Sequence, residues 1–282
     1  MYLLFDIGGT NTRVALSRDG INVVNVESFP TPPVFEDGLK EIERFVGKVE
    51  GKIEATSGGF PGTCDKKKGT VLRAPNLPGW IDENLKERLS QITNSPVFLA
   101  NDADLAGLGE AIEGAGKDFN IVAYITISTG VGGVRIVNKK IDAATIGFEP
   151  GHQIIDADTS IRSEYIEAKK GDNPSYLEDF VSGKSIEIIY GEKAEDIDNP
   201  NVWDEIHWLL SVGLNNTIVH WSPEIIVIGG KVGRSEKISL SKLNFHLSKY
   251  VKIFPTLPIL KKSELGDKAG LVGALHYLKQ NS

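Results

Sequence analysis

The stretch Asp6-Ile7-Gly8-Gly9-Thr10-Asn11-Thr12-Arg13 (DIGGTNTR) decides how the rest of this chain is read. The apolar run Tyr2 to Ile7, with Asp6 near its end, predicts a strand, and Gly8 and Gly9 predict a turn. Thr12 to Ser17 then reads as a second strand, Asp19-Gly20 as another turn, and Ile21 to Phe29 as a third strand, which together make a β-meander. A turn built from Gly8, Gly9 and Thr10 can aim backbone N–H groups and hydroxyls at phosphate oxygens. Asp6, at the strand end, can hold Mg²⁺ directly or through water, because Mg²⁺ takes oxygen ligands and keeps waters. On these residues alone, a plain hairpin and a phosphate loop fit equally well.

The same arrangement recurs about 120 residues later. Ile121 to Ser128 reads as a strand, Thr129-Gly130-Val131-Gly132-Gly133 as a glycine turn, and Val134 to Val137 as a returning strand, with Lys139-Lys140 at the next turn. The chain therefore reads as two similar α/β halves. Between them, Gly38 to Val49 has helical spacing at Leu39, Ile42, Phe45, Val46 and Val49. Lys52 to Gly58 reads as a strand entering a loop, Gly58-Gly59-Phe60-Pro61-Gly62. Further on, a helix is expected with Trp208, Leu209, Val212, Leu214, Ile218 and Val219 on or near one face. Glu224 to Ile228 reads as a strand running into Gly229 and Gly230, and Gly270 to Leu278 as a terminal helix returning to the first half. A boundary is expected near residues 101 to 119.

Three glycine sites suit one nucleotide. Two turns, Gly8 to Asn11 and Thr129-Gly130, suit a triphosphate, and Gly229-Gly230 in IVIGGKVG suits an adenosine. Neither Walker A nor the Rossmann G-x-G-x-x-G is present, which disfavours those routes to a nucleotide. PVFLANDADLAGLGE, Pro96 to Glu110, passes from strand to helix and puts Asn101 or Asp102 at the helix N-terminus. There a carboxylate is favoured by the dipole, and Asp102 can accept a hydroxyl proton while Asn101 orients the hydroxyl. Both residues serve equally as simple caps. FEPGH puts Glu149 and His152 in a Gly/Pro turn, where a binding role and a plain surface role both fit. Glu178, in YLEDFVSG, reads by default as a solvated helix residue.

Apolar residues make up 40% of the 282 and charged ones 24%, which suits a soluble globular chain with a sizeable core. The formal charge of -7 argues against a broadly basic surface for nucleic acid, and Lys66 to Lys68 read as a solvated loop. The single cysteine, Cys64, excludes an internal disulfide and argues against a cysteine zinc site. No apolar run reaches the roughly 20 residues of a membrane span. MYLLFDIGG lacks a signal-peptide pattern, so a cytoplasmic protein is expected.

Taken together, DIGGTNTR, GGFPGT with APNLPGW (Ala74 to Trp80), ANDADLAGLGE, ISTGVGG, EPGH, LEDFVSG and IVIGGKVG resemble, in order, the ROK family of the sugar kinase and actin superfamily. The resemblance implies a two-lobed actin-like ATPase fold, α/β, each lobe a ribonuclease H-like mixed β-sheet flanked by helices. It implies a smaller N-terminal lobe of residues 1–110 plus 268–282, a larger lobe of 111–267, and an active site in the cleft between them. It implies an ATP- and Mg²⁺-dependent hexose kinase, Asp102 being the general base and the 6-OH of glucose the leading acceptor. N-acetylmannosamine, N-acetylglucosamine, fructose and allose are the alternatives. Asn76, Asn101, Asp102, Glu149, His152 and Glu178 resemble the family's sugar contacts. Asp6, Gly8, Gly9, Thr10, Asn11, Arg13, Thr129, Gly130, Gly229 and Gly230 resemble its nucleotide and metal contacts.

One departure sharpens the resemblance. Many members follow E-x-G-H with a C-x-C-G-x-x-G-C zinc motif, and Asp156 to Ser175 contains no cysteine. The chain is therefore similar to the zinc-free, glucokinase-like branch, with no structural zinc and with His152 meeting the sugar directly. Packing by Tyr165, Tyr176, Leu177 and Phe180 is expected to replace the metal's ordering role. The family resemblance also implies a homodimer. With DIGGT starting at residue 6, no DNA-binding helix-turn-helix is expected ahead of it. A non-catalytic sugar sensor is the remaining alternative.

Overall fold

A computed structural model describes residues 1–65, 68–157, 161 and 175–282. Lys66, Lys67 and Tyr165, singled out above, lie outside the described residues. The chain divides into two compact units, Met1–Gly114 with Asp267–Ser282, and Ala115–Gly266.

The first unit opens with strands β1 (Tyr2–Ile7), β2 (Asn11–Ser17) and β3 (Val24–Pro30), followed by helix α1 (Phe35–Val46). Then come β4 (Ala55–Phe60), the short pair β5 (Thr63–Cys64) and β6 (Val71–Arg73), α2 (Leu85–Thr93), β7 (Val97–Asn101) and α3 (Asp102–Ile112). The second unit holds β8 (Ile121–Ile127), β9 (Val131–Val137), β10 (Lys140–Ile141), β11 (Ile154–Asp156) and β12 (Ser175–Tyr176). It continues with α4 (Glu178–Val181), α5 (Gly183–Tyr190), α6 (Pro200–Trp221), β13 (Ile225–Gly229), α7 (Gly230–Arg234), α8 (Leu240–Tyr250) and β14 (Ile259–Lys262). The closing helix α9 (Ala269–Asn281) belongs to the first unit.

Each unit is built on a five-stranded sheet, in the orders β3-β2-β1-β4-β7 and β10-β9-β8-β13-β14. In both, the first three strands run antiparallel and the last two join in parallel. The strand–turn–strand repeat in the sequence thus extends to the whole pairing scheme.

The structure moves several boundaries, each for a visible reason. β3 begins at Val24 rather than Ile21 because the backbone N–H groups of Ile21 and Asn22 are captured by Asp19 Oδ1, both at 2.8 Å. Gly58 and Gly59 are not loop residues: they pair in β4 with Phe5 and Asp6 on one side and Leu99 and Ala100 on the other. Val131, Gly132 and Gly133 belong to β9, opposite Ile127, Thr126 and Ile125, which shortens the second turn to Ser128-Thr129-Gly130. On α6, Leu209, Leu214 and Ile218 of the expected face are buried, whereas Trp208 and Val219 are exposed and Trp203, Ile206 and Leu210 complete the buried side.

Each unit has its own core. In the first, α1 buries Phe35, Leu39, Ile42 and Phe45 with Leu3, Phe5, Ile7, Trp80 and Leu89. In the second, β8 and β13 pack under α6, with Ile125, Ile127, Leu210, Leu214, Ile226 and Ile228 all buried. Full burial of one such side chain stabilises by about 1.5–3 kcal/mol, so the cores fix the strands whose ends carry the polar residues discussed next.

Candidate active site

In the first unit, the candidate residues stand at the carboxyl ends of parallel strands, where ligands of open α/β sheets bind. Asp6 is the penultimate residue of β1 and Asn101 ends β7. Asn101 is the N-cap of α3: its side-chain oxygen accepts from Ala103 N at 2.8 Å and Asp104 N at 3.4 Å. Its amide nitrogen donates to the Gly62 carbonyl at 3.2 Å. Capping therefore falls to Asn101, which leaves Asp102, the first helical residue, for other work. Asp102 Oδ1 accepts from its neighbour Ala103 N at 2.9 Å.

Burial pushes the Asp102 carboxyl up to about 7, and the negative charge of Asp6 adds to the rise, against the opposing pull of the Ala103 N–H. Asp6 is itself raised to about 6 by burial. The nearby Arg13 cation offsets part of that, and Asp267 adds to it. Arg13 lies between two acids, with Nη1 3.7 Å from Asp6 Oδ2 and Nη2 3.3 Å from Asp267 Oδ2. Helix α9 begins beside Asp6: a β-carbon on Gly270 would lie 2.7 Å from Asp6 Cγ and Oδ2. A bare helix N-terminus next to a carboxylate favours its anionic form. The donor set suits Mg²⁺, which binds through one or two carboxylates and otherwise keeps water and phosphate oxygens. Among the described residues, no group of three or more His, Cys, Asp and Glu could hold a metal ion by itself.

The Gly8–Asn11 turn closes with Gly8 N donating to the Asn11 carbonyl at 2.9 Å. Asn76 lies directly against it: a β-carbon on Gly9 would stand 2.8 Å from Asn76 Cβ. The structure thus brings Asp6, Gly8, Gly9, Thr10, Asn11, Arg13, Asn76, Asn101 and Asp102 into one unit.

The second unit gathers the others. Glu178 Oε2 accepts from Val131 N at 2.7 Å, and a β-carbon on Gly130 would meet that oxygen at 2.6 Å. Glu178 is therefore no solvated surface residue; it seats the Thr129-Gly130 turn. That turn is held further by Gly183 N donating to the Ser128 carbonyl (2.7 Å) and Lys184 N to the Thr129 carbonyl (3.4 Å). His152 Nδ1 is 3.7 Å from Glu149 Oε2, and its ring centroid is 5.6 Å from that of Tyr176. Leu177 and Phe180 are buried in the core beneath. Gly229 closes β13, where a side chain would run into the Tyr124 ring, and Gly230 opens α7 at φ 79°.

Sequence reasoning missed Thr31. Its hydroxyl donates to the Gly8 carbonyl at 2.7 Å and contacts Thr12 Oγ1 at 2.9 Å, and its N–H donates to the Thr10 carbonyl at 2.9 Å. No local signal marks it, because the contact spans 23 residues.

The ROK family model matches residues 2–281. An N-acetyl-D-glucosamine kinase of Yersinia pseudotuberculosis is 27% identical over 302 residues, covering 97% of each chain. A glucokinase of Thermotoga maritima is 25% identical over 309 residues, covering 98% of this chain and 96% of that protein. Among solved structures, a ROK hexokinase from Thermus thermophilus superposes with a TM-score of 0.82 at 25% identity, covering 99% of this chain and 98% of the other. A ROK family glucokinase from Streptomyces griseus, in complex with glucose and AMPPNP, gives a TM-score of 0.79 at 24% identity, covering 99% and 100%. The two mixed sheets flanked by helices are those of the actin-like ATPase fold. No helix among the described residues is long and apolar enough to cross a membrane.

Proposed function

We propose that this chain, which belongs to the ROK family across residues 2–281, transfers the γ-phosphoryl group of ATP to a hexose hydroxyl, with glucose 6-OH as the first candidate acceptor. The observation that carries the reading is Asp102: a partly buried carboxyl at the first residue of α3, with its proton affinity raised to about 7. A general base works best when its pKa lies near the working pH. Relatives named glucokinase and N-acetyl-D-glucosamine kinase support a sugar acceptor and leave the particular hexose to experiment. The complex of a structural neighbour with AMPPNP supports ATP as donor.

In this reading, Asp102 takes the acceptor's proton as the hydroxyl oxygen attacks the γ-phosphorus and the bond to the β-phosphate oxygen breaks. Asn76, Asn101, Glu149, His152 and Glu178 orient the sugar. Gly8, Gly9, Thr10, Asn11, Thr129 and Gly130 cradle the phosphates, Arg13 balances the charge beside them, and Gly229 and Gly230 flank the adenosine. Asp6 would hold Mg²⁺, directly or through water, and the ion would neutralise charge on the phosphates. Most of the acceleration comes from positioning and fixed charges. A cytoplasmic homodimer, one lobe spanning residues 1–110 with 268–282 and the other 111–267, completes the proposal.

The test is a coupled kinase assay with ATP over a panel of glucose, N-acetylglucosamine, N-acetylmannosamine, fructose and allose, repeated with Asp102→Asn. One hexose should stand out. The variant should lose roughly 10²- to 10⁴-fold in kcat while sugar binding stays within a few-fold. Near-normal turnover by the variant removes Asp102 from the role of base. No turnover of any hexose by the wild type, with sugar binding intact, favours the sensor alternative.

A further inference from the structure

The segment Thr31-Pro32-Pro33 touches both halves of the candidate site in the first unit. On one side Thr31 braces the Gly8–Asn11 turn, through its hydroxyl to the Gly8 carbonyl (2.7 Å) and its N–H to the Thr10 carbonyl (2.9 Å). On the other side the next two residues seat the Ala74–Trp80 loop. The Pro32 carbonyl accepts from Trp80 Nε1 at 3.0 Å. The Pro33 carbonyl fills the space where a side chain on residue 79 would go, so Gly79 lies flat against it.

Trp80 is the anchor of that loop. It is 1% exposed and packs edge-on against Phe35 (centroids 5.2 Å apart) and stacked against Phe60 (5.7 Å). A side chain on Gly38 would collide with its ring. The loop carries Asn76, which in turn rests on Gly9 of the phosphate turn. The contacts close a ring: phosphate turn, Thr31, the two prolines, Trp80, Asn76, phosphate turn. Pro32 and Pro33 suit the part, because proline has its φ already fixed and loses little freedom on ordering.

We propose that Thr31 is a positioning residue that, with Pro32 and Trp80, holds the acceptor-side Asn76 in register with the phosphate turn Gly8–Asn11. This rests on the kinase reading given above. Thr31 contacts the turn directly and reaches the Asn76 loop through the two prolines that follow it, so it acts through other protein groups. Losing its hydroxyl should therefore loosen the turn and the Asn76 loop together, and an enzyme that depends on near-attack geometry is sensitive to such slack.

The test is Thr31→Val, which keeps the shape and removes the hydroxyl, with Thr31→Ser as the conservative control. In a two-dimensional ¹H–¹⁵N spectrum, Thr31→Val should shift the backbone signals of Gly8–Asn11, the Trp80 indole N–H and the Asn76 side-chain amide. Thr31→Ser should leave all three near their wild-type positions. The Trp80 signal is identified by its loss in Trp80→Phe. In the kinase assay, Thr31→Val should lower kcat/KM for both ATP and sugar by roughly 5- to 20-fold, with Thr31→Ser restoring most of it. Shifts confined to Gly8–Asn11, with the Trp80 and Asn76 signals unmoved, overturn the coupling. So does a loss in kcat/KM for ATP alone. If the wild type phosphorylates no hexose, the kinase reading falls, while the spectra still decide whether the turn and the loop move as one.

Discussion

Gly59 and Asp102 pack backbone against backbone: a β-carbon on Gly59 would stand 2.9 Å from Asp102 Cα. Gly59 is the penultimate residue of β4, paired with Ala100 in β7, so the first turn of α3 folds back over the neighbouring strand. Glycine inside a strand usually marks such a close approach. At this point the approach sets the height of the candidate base above the sheet.

Adding a methyl group there should displace that base. Gly59→Ala is expected to cost roughly 1–3 kcal/mol of stability through overpacking. It should also lower kcat about tenfold or more, since an ångström of misplacement is expensive in phosphoryl transfer. Chemical denaturation and steady-state kinetics together check this; an unchanged kcat would show that Asp102 tolerates the shift.

The pH dependence of the rate should follow the paired carboxyls. Asp102 is raised to about 7 and Asp6 to about 6, and the charge of Asp6 is one cause of the rise in Asp102. A base works only when ionised, so kcat/KM should climb with pH through this range and level off above it. The limb belongs to the pair rather than to one residue. A pH–rate profile between pH 5 and pH 9 measures it, and a flat profile would count against a carboxylate base.

Stability should run the opposite way. The folded state holds the Asp102 proton up to about 7, whereas an unfolded aspartate releases it near 3.8. Between those values the folded state binds more protons, so its stability falls as pH rises and the full cost is present above about 7. Asp102→Asn removes that cost. In metal-free buffer the variant should be more stable than wild type at pH 8, by roughly 1–3 kcal/mol, with the gap narrowing towards pH 5. Thermal unfolding at the two pH values tests both the sign and the trend.

Gly270 carries a similar prediction for Asp6. A β-carbon at 270 would lie 2.7 Å from the carboxylate, so Gly270→Ala must push Asp6 away from the start of α9. Weaker use of Mg²⁺-ATP is expected, with KM for the nucleotide raised about tenfold and the sugar's KM changed less. Titrating activity against Mg²⁺ would reveal the change as a higher metal requirement.

Local chemistry was legible in the sequence wherever a few neighbouring residues decide the outcome. The hairpin around Gly8-Gly9 reads correctly because alternation and a glycine turn act within a dozen residues. The start of α3 also reads from the chain, since an Asn or Asp side chain reaches only two or three residues ahead to cap a helix. Which of the two candidates does so is a matter of geometry: Asn101 caps, and Asp102 is left to the site. Glu178 was illegible alone, because its partner Val131 lies 47 residues away.

What the sequence determined by itself was thus the series of turns and caps, and the family order in which they come. Tertiary structure decided the rest. It drew Gly58-Gly59 into a strand by supplying partners on both sides, and Val131–Gly133 into another by pairing them with β8. It brought residues 267–282 back to the first unit, where α9 begins beside Asp6. It set the proton affinity of Asp102, which depends on burial and on a second charge far away in the chain. The physical reason is range: turns and caps are fixed by bonds between near neighbours, whereas burial and electrostatic coupling exist only once distant segments are packed together.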